Sequence, residues 1–224
     1  MALILHIDTA LQQANIGIAR NGELIANIQS EDPYNHASFV QPAINQVLQQ
    51  SGISIKDVDA VGVTGGPGSY TGLRVAMASA KGLCYALDKP LLSVGTLHVM
   101  ATAAIENFPG FDFYCPMIDA RRNEVFTAMY DQALEIITAP KPMILHHSSF
   151  EQELLSGKTL FCGNGAAKCK HIINANVNAA FELAAYNGLH IAQCLFNRFT
   201  HNAFEDLAYA APQYLKEFYS GKLS

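Results

Sequence analysis

Val61-Gly-Val-Thr-Gly-Gly-Pro-Gly-Ser-Tyr-Thr-Gly-Leu-Arg-Val-Ala-Met-Ala-Ser-Ala-Lys-Gly82 is the stretch whose reading decides the fold. Ala60 to Thr64 is a short β-branched apolar run bounded by turn residues and reads as a buried strand. A glycine-rich turn follows, and then a helix from about Thr71 to Leu87. Gly65, Gly66 and Gly68 allow positive φ and close backbone approach, while Pro67 fixes its own φ between them. Ser69 or Thr71 is placed to cap the new helix.

A glycine-rich strand-to-helix turn is also the usual shape of a phosphate cradle, because free N–H groups and the helix dipole favour an anion. The specific nucleotide motifs are absent. No glycine pair has the P-loop spacing, and a dinucleotide pattern begun at Gly66 and Gly68 meets Thr71 where its third glycine belongs. Gly66, Gly68, Ser69, Thr71 and Gly72 are therefore either an anion site or a tight turn with no ligand. In the following helix, Ala76, Ala78, Ala80 and Gly82 leave small side chains on several faces between Leu73, Val75, Met77, Leu83 and Leu87. Such a helix is expected to be approached closely on more than one side, by its own domain or by a partner.

With 224 residues, 50% hydrophobic and 15% charged, the chain can build one large domain or two of about 100 residues. No apolar run approaches the ~20 residues of a membrane span, so no membrane is expected. Met1 to Asp8 lacks the basic start of a signal peptide and reads as a first strand. Five scattered cysteines without a C-x-x-C pair argue against a disulfide scaffold or a zinc site and fit a reducing, cytoplasmic setting. A net charge of −5 with dispersed Lys and Arg predicts poor nucleic-acid binding by the chain alone; the longest basic pair is Arg121-Arg122.

Toward the N-terminus, strands are expected at Leu3 to Asp8, Ala14 to Arg20 and Leu24 to Gln29, the last two joined by the hairpin dipeptide Asn21-Gly22. Asp8 is either a magnesium- or phosphate-facing carboxylate at a strand's C-terminal edge or a turn residue. After the Glu31 to Asn35 turn, a helix from His36 to Ser51 carries Phe39, Val40, Ala43, Ile44, Val47 and Leu48 on one face. Pro42 either kinks it or marks its true first turn, and Gly52 ends it. Its polar face, Asn45, Gln46, Gln49 and Gln50, is nearly uncharged.

Toward the C-terminus come a strand at Pro90 to Val94 and a helix capped by Thr96, then a boundary at Asn107 to Phe111 dividing 1–107 from 108–224. A strand at Phe113 to Asp119, a tight turn and an antiparallel partner at Glu124 to Tyr130 open the second series. A short strand pair near Leu134 to Thr138 and a short helix capped by Ser148 or Ser149 follow. A strand at Leu160 to Cys162 then turns through Gly163-Asn-Gly165 into a helix. A long helix from about Ala180 to Phe199 and a docking tail at Ala211 to Lys216 complete the chain.

No catalytic constellation emerges. The eight histidines include neither H-E-x-x-H nor H-x-x-x-H, and Val40 stands four residues after His36. There is no G-x-S-x-G nucleophile elbow, and no cysteine has a base partner in sequence. The polar turn Asp119 to Glu124 is either an anion or partner site or a plain hairpin tip.

Gly66-Pro-Gly-Ser-Tyr-Thr-Gly-Leu-Arg74 with Ala80-Lys-Gly82 resembles the signature of the TsaB family. So do Ile7-Asp-Thr9, Asp119-Ala-Arg121 with Glu124-Val125, Gly163-Asn-Gly-Ala166 and Pro212-Gln-Tyr-Leu-Lys216, in the expected order. Tyr70 stands where the family more often has phenylalanine. The resemblance implies an α/β, actin-like ATPase (ASKHA, ribonuclease H-like) fold of two tandem subdomains with mixed sheets flanked by helices. Residues 1–107 would bear the partner-binding helices, and the last segment of 108–224 would pack back on them. It implies a role in forming N6-threonylcarbamoyladenosine at position 37 of tRNAs that read codons beginning with A. The chain would be the non-catalytic partner of a paralogue, TsaD, with an ATPase, TsaE, joining the assembly. A homodimer is implied in isolation, with tRNA reached only through the complex. No cofactor or metal is expected on the isolated chain, ATP and magnesium being used by the assembly. Carried over, the partner interface would use His36, Phe39, Val40, Ile44, Val47 and Leu48 on one helix and Leu73, Arg74, Met77 and Lys81 on the next. The rival is an active ATPase or phosphotransferase of the same fold, using Asp8 and the Gly65 to Gly72 loop. A glycoprotease reading lacks the H-x-x-x-H metal pair.

Overall fold

A computed structural model describes residues 1–30, 32, 35–173 and 175–216. Of the turn expected at Glu31 to Asn35, only Asp32 and Asn35 are among the described residues, and so are none of 217–224 at the end of the tail.

The first half makes β1 (Leu3–Asp8), β2 (Asn15–Arg20), β3 (Glu23–Gln29), α1 (His36–Ser51), β4 (Ala60–Gly66), α2 (Tyr70–Leu87), β5 (Leu91–Gly95) and α3 (Thr96–Asn107). The second makes β6 (Phe113–Asp119), β7 (Glu124–Asp131), β8 (Ile136–Ile144), α4 (Glu151–Ser156), β9 (Thr159–Cys162), α5 (Ala166–Ile172), β10 (Ala179–Glu182) and α6 (Gly188–Thr200). Each half builds one five-stranded sheet, ordered β3-β2-β1-β4-β5 and β10-β9-β6-β7-β8.

In the first sheet, β1 pairs antiparallel with β2 and parallel with β4. Both central strands are buried along their whole length, hence their unbroken apolar runs. Asn21 (φ 52°) and Gly22 (φ 86°) take the left-handed values that a two-residue hairpin requires. Helices α1 and α2 cover one face, where Val40, Val47, Ala76 and Met77 meet Leu5, Ile7, Val61 and Val63. Helix α6 covers the other, where Ile191 and Leu195 meet Ile4, Ala60 and Leu92. Gly62 is required there, because a Cβ would lie 2.4 Å from Leu195. Leu97, Met100 and Ala101 of α3 pack on Ile118, Ala128 and Tyr130 of the second sheet and so join the halves. Helix α1 continues through Pro42 and closes on Gly52 (φ 67°).

Four local expectations give way to longer-range pairing. Thr96 does not cap α3; it is the first helical residue behind Gly95, and its hydroxyl is buried without a partner among the described residues. Phe150, in place of Ser148 or Ser149, precedes α4, and the Ser149 hydroxyl accepts the His146 N–H at 3.0 Å. No strand pair forms at Leu134 to Thr138: Leu134 (φ 64°) turns the chain so that a single nine-residue β8 runs back along β7. Ala180 lies in β10, paired parallel to β9, and not in a long helix. Helix α6 begins only at Gly188, where the Asn187 side chain accepts the Leu189 and His190 N–H groups and His190 Nδ1 accepts the Asn187 N–H.

After α6 the chain returns to the first half. The Glu205 N–H donates to Leu91 O at 2.9 Å, and the Gln213 N–H to Gly65 O at 2.7 Å. Lys81 Nζ donates to the carbonyls of Ala208 (3.2 Å) and Ala210 (3.0 Å), and Lys216 pairs with Glu124 on β7. Among the described residues no helix is long and apolar enough to cross a membrane.

Candidate functional site

The parallel pairing of β1 with β4 sets Asp8 beside Thr64 at the carboxyl ends of the central strands, where open α/β sheets bind ligands. Here the carboxylate is enclosed, at 1% exposure. One oxygen accepts the Thr64 hydroxyl and the Ala10 N–H (3.0 Å), and the other accepts the Tyr186 hydroxyl at 2.9 Å. Burial pushes the Asp8 pKa up, against the pull of these three hydrogen bonds. The Tyr186 phenol is raised well above its ordinary value by its own burial and then by the neighbouring carboxyl. Asp8 thus ties β1, β4 and the segment before α6 together, with both oxygens engaged.

The glycine turn faces the protein's own backbone. A Cβ on Gly68 would lie 2.2 Å from Ala10 O, and one on Gly72 2.0 Å from Thr9 O. The Ser69 N–H donates to Ala10 O at 2.7 Å, and Thr9 Oγ1 donates to Gly72 O at 2.6 Å. Gly66 (φ 117°) would meet Gln213 O at 2.7 Å. Ser69 Oγ, and not Thr71, caps α2 by accepting the Gly72 N–H at 3.2 Å. The close approaches expected of a phosphate are therefore occupied by residues 9, 10 and 213. Leu11, from the β1–β2 turn, packs on the Leu97, Met100 and Ile118 cluster, and His36 Nε2 donates to Leu11 O at 3.1 Å.

Leu11, Gln12 and Asn164 form a common wall between two cavities. One, of about 250 Å³, is lined by Asp8, Asn15, Gln29, Met100 and Tyr186. The other is a groove of about 900 Å³ with His36, Ser69, Tyr70, Thr71, Arg121, Arg122 and Lys168 on its walls. Asp119 in that groove is held below its ordinary range: slight burial pushes it up, and the Lys168 ammonium with the Arg121 N–H outweighs that. Among the described residues no three His, Cys, Asp or Glu side chains are placed to hold a metal ion.

The expected interface side chains divide sharply. Val40, Ile44, Val47, Leu73 and Met77 are buried against the first sheet, at 0–5% exposure. Phe39 and Leu48 pack on the same core, and Lys81 holds the tail. Helical periodicity identified the apolar face, but that face is spent on the sheet. The outward face of the pair carries Gln41, Asn45, Ala78, Gly82 and Tyr85, all exposed, with Arg74 beside Tyr70 at the start of α2. Gln41 Nε2 donates to Ser79 Oγ at 3.2 Å and ties the two helices. A Cβ on Gly82 would find no described residue within 4 Å.

Sequence reasoning missed Thr64, Tyr186 and Leu11. Tyr186 lies 178 residues from Asp8, so no local signal could have paired them. Leu11, an apolar residue in a polar turn, was a signal that could have been read.

A family model described as TsaD, tRNA N6-adenosine threonylcarbamoyltransferase, matches residues 25–220. The tRNA threonylcarbamoyladenosine biosynthesis protein TsaB of Escherichia coli (strain K12) is 31% identical over 169 residues, covering 72% of this chain and 71% of that protein. Its namesake from Bacillus subtilis (strain 168) is 34% identical over 127 residues, 57% of this chain and 54% of that one. The solved structure of YeaZ from Pseudomonas aeruginosa superposes with a TM-score of 0.80 at 23% identity, over 96% of this chain and 100% of that one. The two-sheet arrangement is thus the actin-like ATPase fold.

Proposed function

We propose, since the chain belongs to the TsaB family, that it is the non-catalytic subunit of a tRNA-modifying assembly that forms N6-threonylcarbamoyladenosine. In this reading it binds and activates a TsaD paralogue through the outward face of α1 and α2. A TsaE ATPase joins, ATP and magnesium are used by the assembly, and tRNA is engaged only in the complex. The same face pairs two copies when the paralogue is absent. The assembly works in the cytoplasm.

One observation carries the reading: Gly82, on the exposed face of the 18-residue α2, with no described residue near its missing Cβ. Glycine in a helix interior costs roughly 1 kcal/mol relative to alanine. No described residue needs it. A closely approaching backbone from outside, flanked by Ala78 and Tyr85, accounts for it. The enclosure of Asp8 with both oxygens engaged, and the filling of the close approaches at the glycine turn by residues 9, 10 and 213, support a subunit without its own phosphoryl chemistry and disfavour the phosphotransferase alternative.

The test is threonylcarbamoyl transfer to tRNA by the paralogue with TsaE, ATP and the adenylate supply, with wild-type chain or Gly82→Arg. The arginine has open space, so folding should be retained while pairing and modification are lost. Full pairing in Gly82→Arg sinks this choice of interface. Modification that proceeds without the chain sinks the activator reading.

A further inference from the structure

The smaller cavity, of about 250 Å³, takes its walls from both halves: residues 8–15 around the β1–β2 turn, Met100 on α3, Gly163 and Asn164 after β9, and residues 183–187 before α6. Its apolar surface comes from Leu11, Met100, Leu183, Ala184 and Ala185. No Lys, Arg or His is among its described lining residues, and Asp8, the one carboxylate there, has both oxygens engaged. An ion therefore meets no free counter-charge in it.

Four side-chain amides in the lining use their oxygens inside the protein. Asn15 Oδ1 accepts from His6 Nε2 at 2.7 Å, and Gln13 Oε1 from Gln29 Nε2 at 2.8 Å. Asn164 Oδ1 accepts the Asp119 N–H at 2.9 Å, and Asn187 Oδ1 the Leu189 N–H at 2.9 Å. The last two amides are fixed in orientation, because a backbone N–H only donates. What remains on each of the four is an NH2 group, and none of these donates to a described residue. Asn15 is the telling one. It is 4% exposed, yet its Nδ2 is not among the fully enclosed atoms that lack a partner, so the cavity is what it opens to. A desolvated amide donor gains from an acceptor brought to it.

We infer that this cavity binds a small uncharged molecule with an apolar body and carbonyl oxygens, such as a capped amide or an ester. The oxygens accept from the Asn15 amide in the floor and from the amides of the rim, and the body rests on Met100 and Leu183. The size suits a ligand below the drug-sized range, which begins at about 300 Å³. This site goes beyond the pairing reading and uses none of the residues on the outward face of α1 and α2.

The test is a titration of the isotope-labelled full chain with N-acetyl-leucine methylamide, an uncharged apolar molecule with two carbonyl oxygens, read by NMR at the side-chain NH2 signals. Those of Asn15, Asn164 and Asn187 should shift saturably, with a Kd of about 1 mM for a ligand of about a dozen non-hydrogen atoms. Asn15→Asp keeps the shape but turns the donor into an acceptor, and should weaken binding about tenfold. Ala185→Phe places a ring in the mouth from an exposed position and should abolish binding, which decides the matter even where Asn15→Asp fails to fold. No saturable shift at tens of millimolar overturns the site. So do shifts that survive Ala185→Phe or fall only outside the lining. Inorganic phosphate or ATP moving the same signals while the diamide does not overturns it in favour of an anion.

Discussion

Asp8 was legible as the acid that ends the first strand, but its role was not, because the groups that decide it come from β4 and from Tyr186. If it is a structural tie, Asp8→Ala leaves three donors unsatisfied and should cost about 2 to 3 kcal/mol in urea unfolding. Asp8→Asn should keep most of the stability and the full modification rate of the assembly; a rate lost without a stability change would make the carboxylate catalytic after all. His6 is the other buried titratable group of β1, fully enclosed, its Nε2 donating to Asn15 Oδ1 at 2.7 Å. Burial lowers its pKa from 6.5 to about 4, the Asn15 bond opposing. The folded state therefore binds the proton less readily than the unfolded chain does. Its contribution is complete above pH 6.5 and is lost as pH falls toward 4, by up to about 3 kcal/mol. Asp8, raised by burial, works in the opposite sense, so the comparison must be with His6→Gln. Melting temperatures at pH 7 and 4.5 should fall further for wild type than for His6→Gln; parallel curves would contradict the buried, neutral ring.

Among the elements, those specified by neighbouring residues were readable. Asn21-Gly22 fixed a hairpin and Gly52 a helix end, because both act through their own φ. Strand β10 was not, since Ala179 to Glu182 is a strand only by pairing with β9. On α1 and α2 the apolar face was legible and its cover was not: periodicity reveals that a face is apolar, not what packs on it. Within α2 the same substitution should act with opposite sign at two glycines. Gly72→Ala forces a methyl against the Thr9 carbonyl, 2.0 Å away, and should destabilise by about 2 to 3 kcal/mol. Gly82→Ala meets nothing and should stabilise by about 1 kcal/mol while weakening pairing with the paralogue. Chemical denaturation of the two variants checks both signs, and a stability loss at Gly82 would show that the glycine serves the chain itself.

At the scale of the molecule, the first sheet is covered on one side by its own helices, joined there by Leu207 and Ala210 of the returning tail, and on the other by α6. Residues 1–107 alone would leave Ile4, Ala60, Leu92 and Val94 facing water. That fragment should aggregate or stay loosely folded, and adding residues 188–216 in trans should restore a cooperative thermal transition. A fragment that folds alone would mean that α6 is dispensable to the first half. The order of synthesis gives this arrangement a further meaning. A ribosome delivers the whole first sheet long before Ile191 and Leu195 leave the exit tunnel. The nascent chain must carry a sticky, half-dressed sheet through the making of the entire second half, so a trigger-type chaperone, or a slow stretch of translation ahead of α6, would matter more to its yield than any single contact in the finished protein.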